Sequence, residues 1–248
     1  MKYLDMFIED CRYYDSKNTE VKTILKYVEL KGKTLLDIGA GIGRLSFPLS
    51  KYAKKVIALD KDKRFKEYFK RHKKGNITFI NEDIEKFVKK GKRFDVILLA
   101  WPAFNFRFIP AIKKLMNKDS TFIFMTCSNS SDFETIIDKL EIFRKNYFNK
   151  SIKRKRQFIR NILKQFKLTL NKKILADYIY PDENTTFRVL KNDMKMFYNA
   201  KFNRKIEEKL KEIINKHKIN KKIKFDEEVW FYLFKLKLKT IRGLQMKS

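Results

Sequence analysis

The sequence predicts an α/β fold, a mostly parallel sheet with helices on both faces, and three observations carry that prediction. Short apolar runs of strand length recur down the first half of the chain, at residues 34–38, 55–59, 76–80, 93–100 and 120–126. Each reads as a strand, and the run at 34–38, too short for a helix, suits a buried parallel strand. Segments with helical spacing of apolar residues fall between them, the alternation expected of parallel strands joined by helical crossovers. The third observation is a glycine cluster at the tip of the first run. Gly39, Gly41 and Gly43 lie within five positions, although the chain has only 7 glycines in 248 residues.

Taken in order, residues 1–16 form a mixed segment rich in aromatics (Tyr3, Phe7, Tyr13, Tyr14), placed either to fold over a ligand or to pack on the sheet. Arg12 and Tyr14 are its candidate ligand contacts. Residues 20–30 carry Val21, Leu25 and Val28 on one face and predict a helix. The first strand then turns through Gly39-Ala40-Gly41-Ile42-Gly43 into residues 44–53, where Leu45, Leu49 and Tyr52 keep helical spacing. A strand turning on glycines lets a ligand approach backbone N–H groups, because no Cβ stands in the way. The same glycines would equally serve close packing. The dinucleotide fingerprint needs a glycine at the sixth position of such a turn; here it is Arg44, so that class fails.

The second strand ends in Asp60, 21 positions beyond Gly39, followed by Lys61. A carboxylate there can accept both hydroxyls of a ribose. After a helix over 63–71 and the third strand comes Asn81-Glu82-Asp83-Ile84, where Asp83 also suits the N-cap of a helix over 85–90. The fourth strand runs into Ala100-Trp101-Pro102-Ala103-Phe104, at the carboxyl end where open α/β sheets hold ligands. Trp101, Phe104 and Phe106 form either an aromatic wall or part of the core. A helix over 109–116 leads to the fifth strand, ending in Thr126-Cys127-Ser128-Asn129, and a helix over 133–143 follows.

Residues 150–173 contain ten Lys/Arg and no acid. Ile152, Ile159, Ile162, Leu163 and Phe166 share a helical face, so the segment reads as a basic amphipathic helix. It suits a phosphate backbone, an anionic membrane surface or simply solvent. A strand over 166–180, helices over 186–198 and 203–218, and an alternating strand from Glu228 complete the chain. Lys+Arg 59 against Asp+Glu 29 gives a net charge of +30, a field that attracts polyanions. Cys11 and Cys127 are the only cysteines and His72 and His217 the only histidines, which argues against a disulfide framework and a zinc site. No apolar run reaches the ~18 residues of a membrane span, and the acidic N-terminus is unlike a signal peptide, so a cytoplasmic protein is expected.

Asp37-Ile-Gly-Ala-Gly-Ile-Gly43, Asp60, Asp83 and the strand from Phe94 to Pro102, in that order, resemble the class I (Rossmann-like) S-adenosylmethionine (SAM)-dependent methyltransferases across residues 35–102. The resemblance implies a single domain with a seven-stranded sheet, mostly parallel with an antiparallel last strand. Its core would be about 18–147 plus 223–240, with a basic, mainly helical insertion over 148–222 capping the acceptor site. It implies SAM as cofactor: Asp37 accepting from the α-amine, Gly39, Ala40, Gly41 and Gly43 along the methionine part and sugar, Asp60 with Lys61 at the ribose, Asp83 at the adenine amine, Ile84 beside the ring, and Ala100 and Trp101 at the crevice. Asp95 resembles a structural acid of the family. Methyltransferases of exocyclic base amines carry Asp or Asn before a Pro-Pro-Tyr; Ala100-Trp101-Pro102-Ala103 lacks that oxygen, which disfavours such chemistry. Thr126-Cys127-Ser128 is similar to the nucleophile segment of RNA 5-methylcytosine methyltransferases, making Cys127 a candidate nucleophile, although their companion cysteine is Ala103 here. No residue stands out as a general base. The expected function is in-line methyl transfer to a small-molecule acceptor. The alternatives are an RNA methyltransferase using the basic segment and a non-catalytic polyanion-binding module of the same fold.

Overall fold

The structure, a computed structural model, describes residues 2–72, 75–102, 106–128, 131–141 and 146–237. Eight strands form one sheet: β1 (Thr34–Ile38), β2 (Lys55–Asp60), β3 (Ile77–Asn81), β4 (Phe94–Ala100), β5 (Met116–Cys127), β6 (Phe166–Tyr180), β7 (Lys218–Ile219) and β8 (Lys222–Leu236). Their order is β3-β2-β1-β4-β5-β8-β6, with β7 on β8. Strands β1 to β5 pair in parallel, and β8 runs antiparallel to both β5 and β6. Strand order reverses between β1 and β4, so the crevice expected of an open α/β sheet lies beyond the carboxyl ends of these two strands. Gly39 and Trp101 stand there.

The uninterrupted apolar runs have a direct physical cause. Leu35, Leu36, Val56, Ala58 and the whole of Val96 to Leu99 are within 1% of complete burial, because helices cover both faces. On one face Ile24 of α2 (Thr19–Tyr27), Leu49 of α3 (Ser46–Leu49) and Phe69 of α4 (Arg64–Arg71) pack with Leu35, Val56 and Leu98. On the other, Phe87 of α5 (Ile84–Phe87), Ile112 of α6 (Phe108–Leu115) and Phe158 of α8 (Asn146–Gln165) pack with Leu36, Ile97 and Phe122. A third cluster joins α7 (Asp132–Lys139), α9 (Glu183–Tyr198) and α10 (Arg204–Lys216) to the ends of β6 and β8 through Ile137, Leu190, Ile214, Tyr180 and Phe225. Among the described residues no helix is long and apolar enough to cross a membrane.

Several elements differ from the sequence expectation. The eighth strand is the two-residue β7, a hairpin partner of β8, which starts at Lys222 and not Glu228 because its inward side chains already alternate from Ile223. The aromatic N-terminal segment is a regular helix, α1 (Tyr3–Tyr13). Residues 44–53 do not form one helix. Only Ser46–Leu49 is helical, the Ser50 hydroxyl donates to the Phe47 carbonyl at 2.7 Å, and Tyr52 is 51% exposed. Such local side-chain bonds compete with helix propagation. The basic segment divides into α8 and the 15-residue outer strand β6. Helix α8 docks through Lys155, Phe158 and Ile162, while Leu163, expected on the buried face, is 39% exposed.

Candidate functional site

The turn after β1 is held in the left-handed region at Gly39 (φ +74°), Gly41 (φ +57°) and Gly43 (φ +81°), which residues with a Cβ rarely enter. Its N–H groups are not left open. Gly39 and Ala40 donate to the Leu59 carbonyl at 2.8 and 3.2 Å, Gly43 to the Ala40 carbonyl at 2.8 Å, and Gly41 to Asp60 Oδ2 at 2.9 Å. The turn is therefore stitched to the tip of β2.

The three glycines face different surroundings. A Cβ on Gly43 would stand 2.6 Å from the Phe69 ring and 2.8 Å from that of Phe47, so this glycine serves packing. On Gly41 it would stand 3.1 Å from the ring of Phe7 on α1. A Cβ on Gly39 would meet nothing within 4 Å, so that side of its backbone is open. Ala40 is buried behind the turn.

The acids separate in the same way. Asp37 is 3% exposed and accepts from the Ser46 hydroxyl at 2.7 Å; burial pushes its carboxyl up to about 6. It braces the turn from beneath. Asp60 stands at the tip, accepting from Gly41 N–H on one oxygen and from Asp62 N–H at 2.8 Å on the other. Burial raises its pKa, against these two backbone bonds. Asp83 caps α5, accepting from Glu85 N–H at 2.8 Å. Ile84 is buried in the core and Lys61 is exposed. Ala100 ends β4, half-buried, next to Trp101.

Trp101 has φ +53°, an outlier for an aromatic residue, and outliers of this kind cluster at functional sites. Its conformation is over-determined: the N–H donates to the Met125 carbonyl at 3.0 Å, and indole Nε1 donates to Glu20 Oε1 at 2.8 Å. Glu20, fully buried, also accepts from the Tyr14 hydroxyl at 2.8 Å and pairs with Arg44 at 2.5 Å. The Arg44 guanidinium lies 4.6 Å from the centre of the Tyr14 ring, which meets Trp101 edge-on at 5.4 Å. Asp15 fixes the start of α2 by accepting from Thr19 and Glu20 N–H at 2.7 and 2.9 Å. Glu20 thus ties α1, α2, the exit of the glycine turn and the tip of β4. Sequence reasoning missed it, because an acid at the start of an amphipathic helix reads as a surface residue. Arg44, standing where a sixth-position glycine was sought, was the available signal.

Cys127 ends β5, and the buried Lys155 ammonium reaches its Sγ at 3.2 Å and its carbonyl at 3.0 Å. Arg12 is exposed. Phe106 packs on Phe158 at 5.8 Å, towards α8. Ala103, Phe104 and Asn129 lie outside the described residues. His72 and His217 each bond a carbonyl of their own helix at 2.8 Å. Among the described residues no three His, Cys, Asp or Glu side chains converge as a metal site.

The strand order, the glycine turn on β1 and the acid at the tip of β2 coincide with a match to a family model. Residues 35–123 match the model described as a methyltransferase domain. Over these residues the chain is similar to methyltransferase domains. The ubiquinone biosynthesis O-methyltransferase of Coxiella burnetii is 39% identical over 80 residues, 29% of this chain and 34% of that protein. The ribosomal RNA small subunit methyltransferase A of Wigglesworthia glossinidia brevipalpis is 35% identical over 69 residues, 27% of this chain and 26% of that one. The chain thus spans a quarter to a third of the curated relatives it matches. Beyond residues 35–123 the likeness is one of fold. The N-methyltransferase NodS of Bradyrhizobium japonicum, solved with S-adenosyl-L-homocysteine, superposes with a TM-score of 0.51 at 11% identity, covering 90% of this chain and 86% of NodS. YcgJ of Bacillus subtilis gives 0.53 at 15% identity, covering 88% and 98%.

Proposed function

We propose that the protein is a SAM-dependent methyltransferase acting on a small-molecule acceptor. The observation that carries this reading is the open backbone at Gly39, at the reversal of strand order, with Asp60 on the next tip. In class I methyltransferases this is where the cofactor lies, and the residues fit it. A Cβ would intrude at Gly39, Asp60 can accept ribose hydroxyls beside its backbone donors, and the second oxygen of Asp83 can take the adenine amine. When bound, SAM supplies an activated methyl on a sulfonium. The chain's own residues position and enclose. Phe7 covers Gly41, so α1 forms one wall, and Glu20 locks Trp101 at the crevice. Asp37, committed to Ser46, holds the turn in shape. On this reading the chain is one domain, with residues 148–222 supplying β6 and a cap over the acceptor side. Calorimetry with SAM tests it: wild type takes up one equivalent, and Gly39→Ala weakens uptake at least tenfold. No uptake by wild type overturns it.

A second reading, methyl transfer to RNA, rests on Lys153, Arg154, Arg156, Arg160 and Lys164, all exposed on α8 in a stretch without acids. Filter binding of bulk tRNA decides it, since affinity must fall steeply with salt if phosphates are held. Binding that stays weak at low salt removes this reading.

A further inference from the structure

Away from the glycine turn, the least satisfied polar chemistry in the molecule lies where α1, β6 and α9 meet. Asp193 on α9 is 2% exposed, and no donor reaches either carboxylate oxygen. Its carboxyl faces that of Asp10 on α1, a second acceptor, so at most a shared proton links them. Tyr180, at the end of β6, is fully buried and its hydroxyl also lacks a partner. Tyr180 lies within the field of both acids, yet it does not satisfy them. The ring of Tyr13 stands 5.0 Å from that of Tyr180, and the ring of Tyr178 stacks on it at 6.0 Å.

The chain carries a net charge of +30, yet among the described residues no donor reaches Asp193, and the Arg44 charge acts on Asp10 only through space. Arg44 is paired with Glu20, and Arg188 reaches Glu9 at 2.5 Å. Burying carboxylates without donors costs several kcal/mol, and an unsatisfied native group of this kind calls for an explanation. A metal would need further ligands, and no third acid, His or Cys converges here among the described residues. What two carboxyls, a phenol oxygen and tyrosine ring faces can hold is an ammonium, which has three N–H donors and is drawn to aromatic faces.

The position fits an acceptor. Asp10 follows Phe7 by about one turn of α1, and Phe7 lies against Gly41. Tyr178 packs on Tyr14 at 4.8 Å, and Tyr14 on Trp101 at 5.4 Å, so the cluster adjoins the crevice. Asp10 is partly exposed, which gives a route from solvent.

We propose that Asp10, Asp193 and Tyr180 form a subsite for the ammonium group of a small amine. That the amine is the methyl acceptor rests on the methyltransferase reading; that it binds does not. Burial raises both carboxyl pKa values, and the neighbouring Asp10 raises that of Asp193 further, so ammonium entry displaces the shared proton.

The test titrates the full chain, without cofactor, with n-butylamine and 2-phenylethylamine, and with 2-phenylethanol as the neutral isostere. The amine binds at least tenfold more tightly than the alcohol, as a charged partner requires. Its enthalpy changes with the ionisation enthalpy of the buffer, the signature of proton release. Asp193→Asn and Asp10→Asn each lose at least tenfold in amine affinity while melting no lower than wild type. Equal affinity for amine and alcohol, unchanged affinity in both variants, or no binding of either amine overturns the subsite. A parallel SAM titration separates the two ideas. Cofactor uptake without amine binding removes the subsite alone, and amine binding without cofactor uptake removes the transfer reading alone.

Discussion

Replacing Glu20 with Gln tests whether one buried carboxylate organises the crevice. Gln keeps the shape, and its carbonyl can still accept from the Tyr14 hydroxyl and the Trp101 indole, both at 2.8 Å from Oε1 in the wild type. What it loses is the charge facing Arg44, whose side chain is 22% exposed. Removing one partner of a buried ion pair costs about 3–5 kcal/mol, because the other charge is left buried and uncompensated. Partial exposure of Arg44 puts the expectation at the lower end, about 3 kcal/mol. For a chain of this size that is a fall in Tm of roughly 6–12 °C. Urea unfolding followed by far-UV circular dichroism reads the stability. Arg44→Met in the Glu20→Gln background recovers most of the loss, since an apolar replacement of a whole buried pair is often neutral. A loss below about 1 kcal/mol, or losses that simply add in the double variant, would refute the assigned role.

The remaining predictions concern the turn, the acids and the basic helix. Gly43→Ala places a methyl 2.6 Å from Phe69 at φ +81° and destabilises by about 3 kcal/mol, strain plus overpacking, whereas Gly39→Ala meets only open space and costs about 1 kcal/mol, as paired thermal melts check. Stability depends on pH with a definite sign. Asp37, Asp10 and Asp193 hold protons more tightly folded than unfolded, so their contribution to stability is fullest below about pH 4 and declines as pH rises through 6 and beyond. Asp193→Asn flattens that decline and raises stability at pH 8 by about 1–2 kcal/mol, measured by denaturant titration at each pH. Replacing Arg154, Arg156 and Arg160 by Gln reduces the salt slope of any tRNA binding by about 2–3 units, and leaves thermal stability within about 0.5 kcal/mol.

The parts of the fold legible in the sequence were those whose physics is local. Strands buried on both faces spell themselves out as apolar runs, and Val56 to Leu59 and Val96 to Leu99 could be placed to within a residue or two. The final strand was visible because Trp230, Tyr232 and Phe234 alternate with Phe231 and Leu233. The failures have a common cause. Helix α3 stopped early because Ser50 bonds to Phe47, a choice invisible to periodicity. The stripe of α8 was misjudged because Lys155 is buried to reach the end of β5, and a lysine reads as solvent-facing from sequence. At the site, the tip glycines and Asp60 were found from spacing, but their division of labour was not. Only coordinates separate Gly39, which faces open space, from Gly43, which faces Phe69. Asp10 and Glu20 lie far from Asp193 in sequence, and nothing local marks Glu20 or Asp193 as buried.

The measurement that bears most directly on the whole account is SAM binding by wild type and Gly39→Ala, side by side, with stability recorded on the same samples. A cofactor seated on open backbone predicts one equivalent bound by wild type, at least tenfold weaker binding by the alanine variant, and a stability change of only about 1 kcal/mol between them. Equal affinity in the two proteins, or no uptake by either, would contradict it.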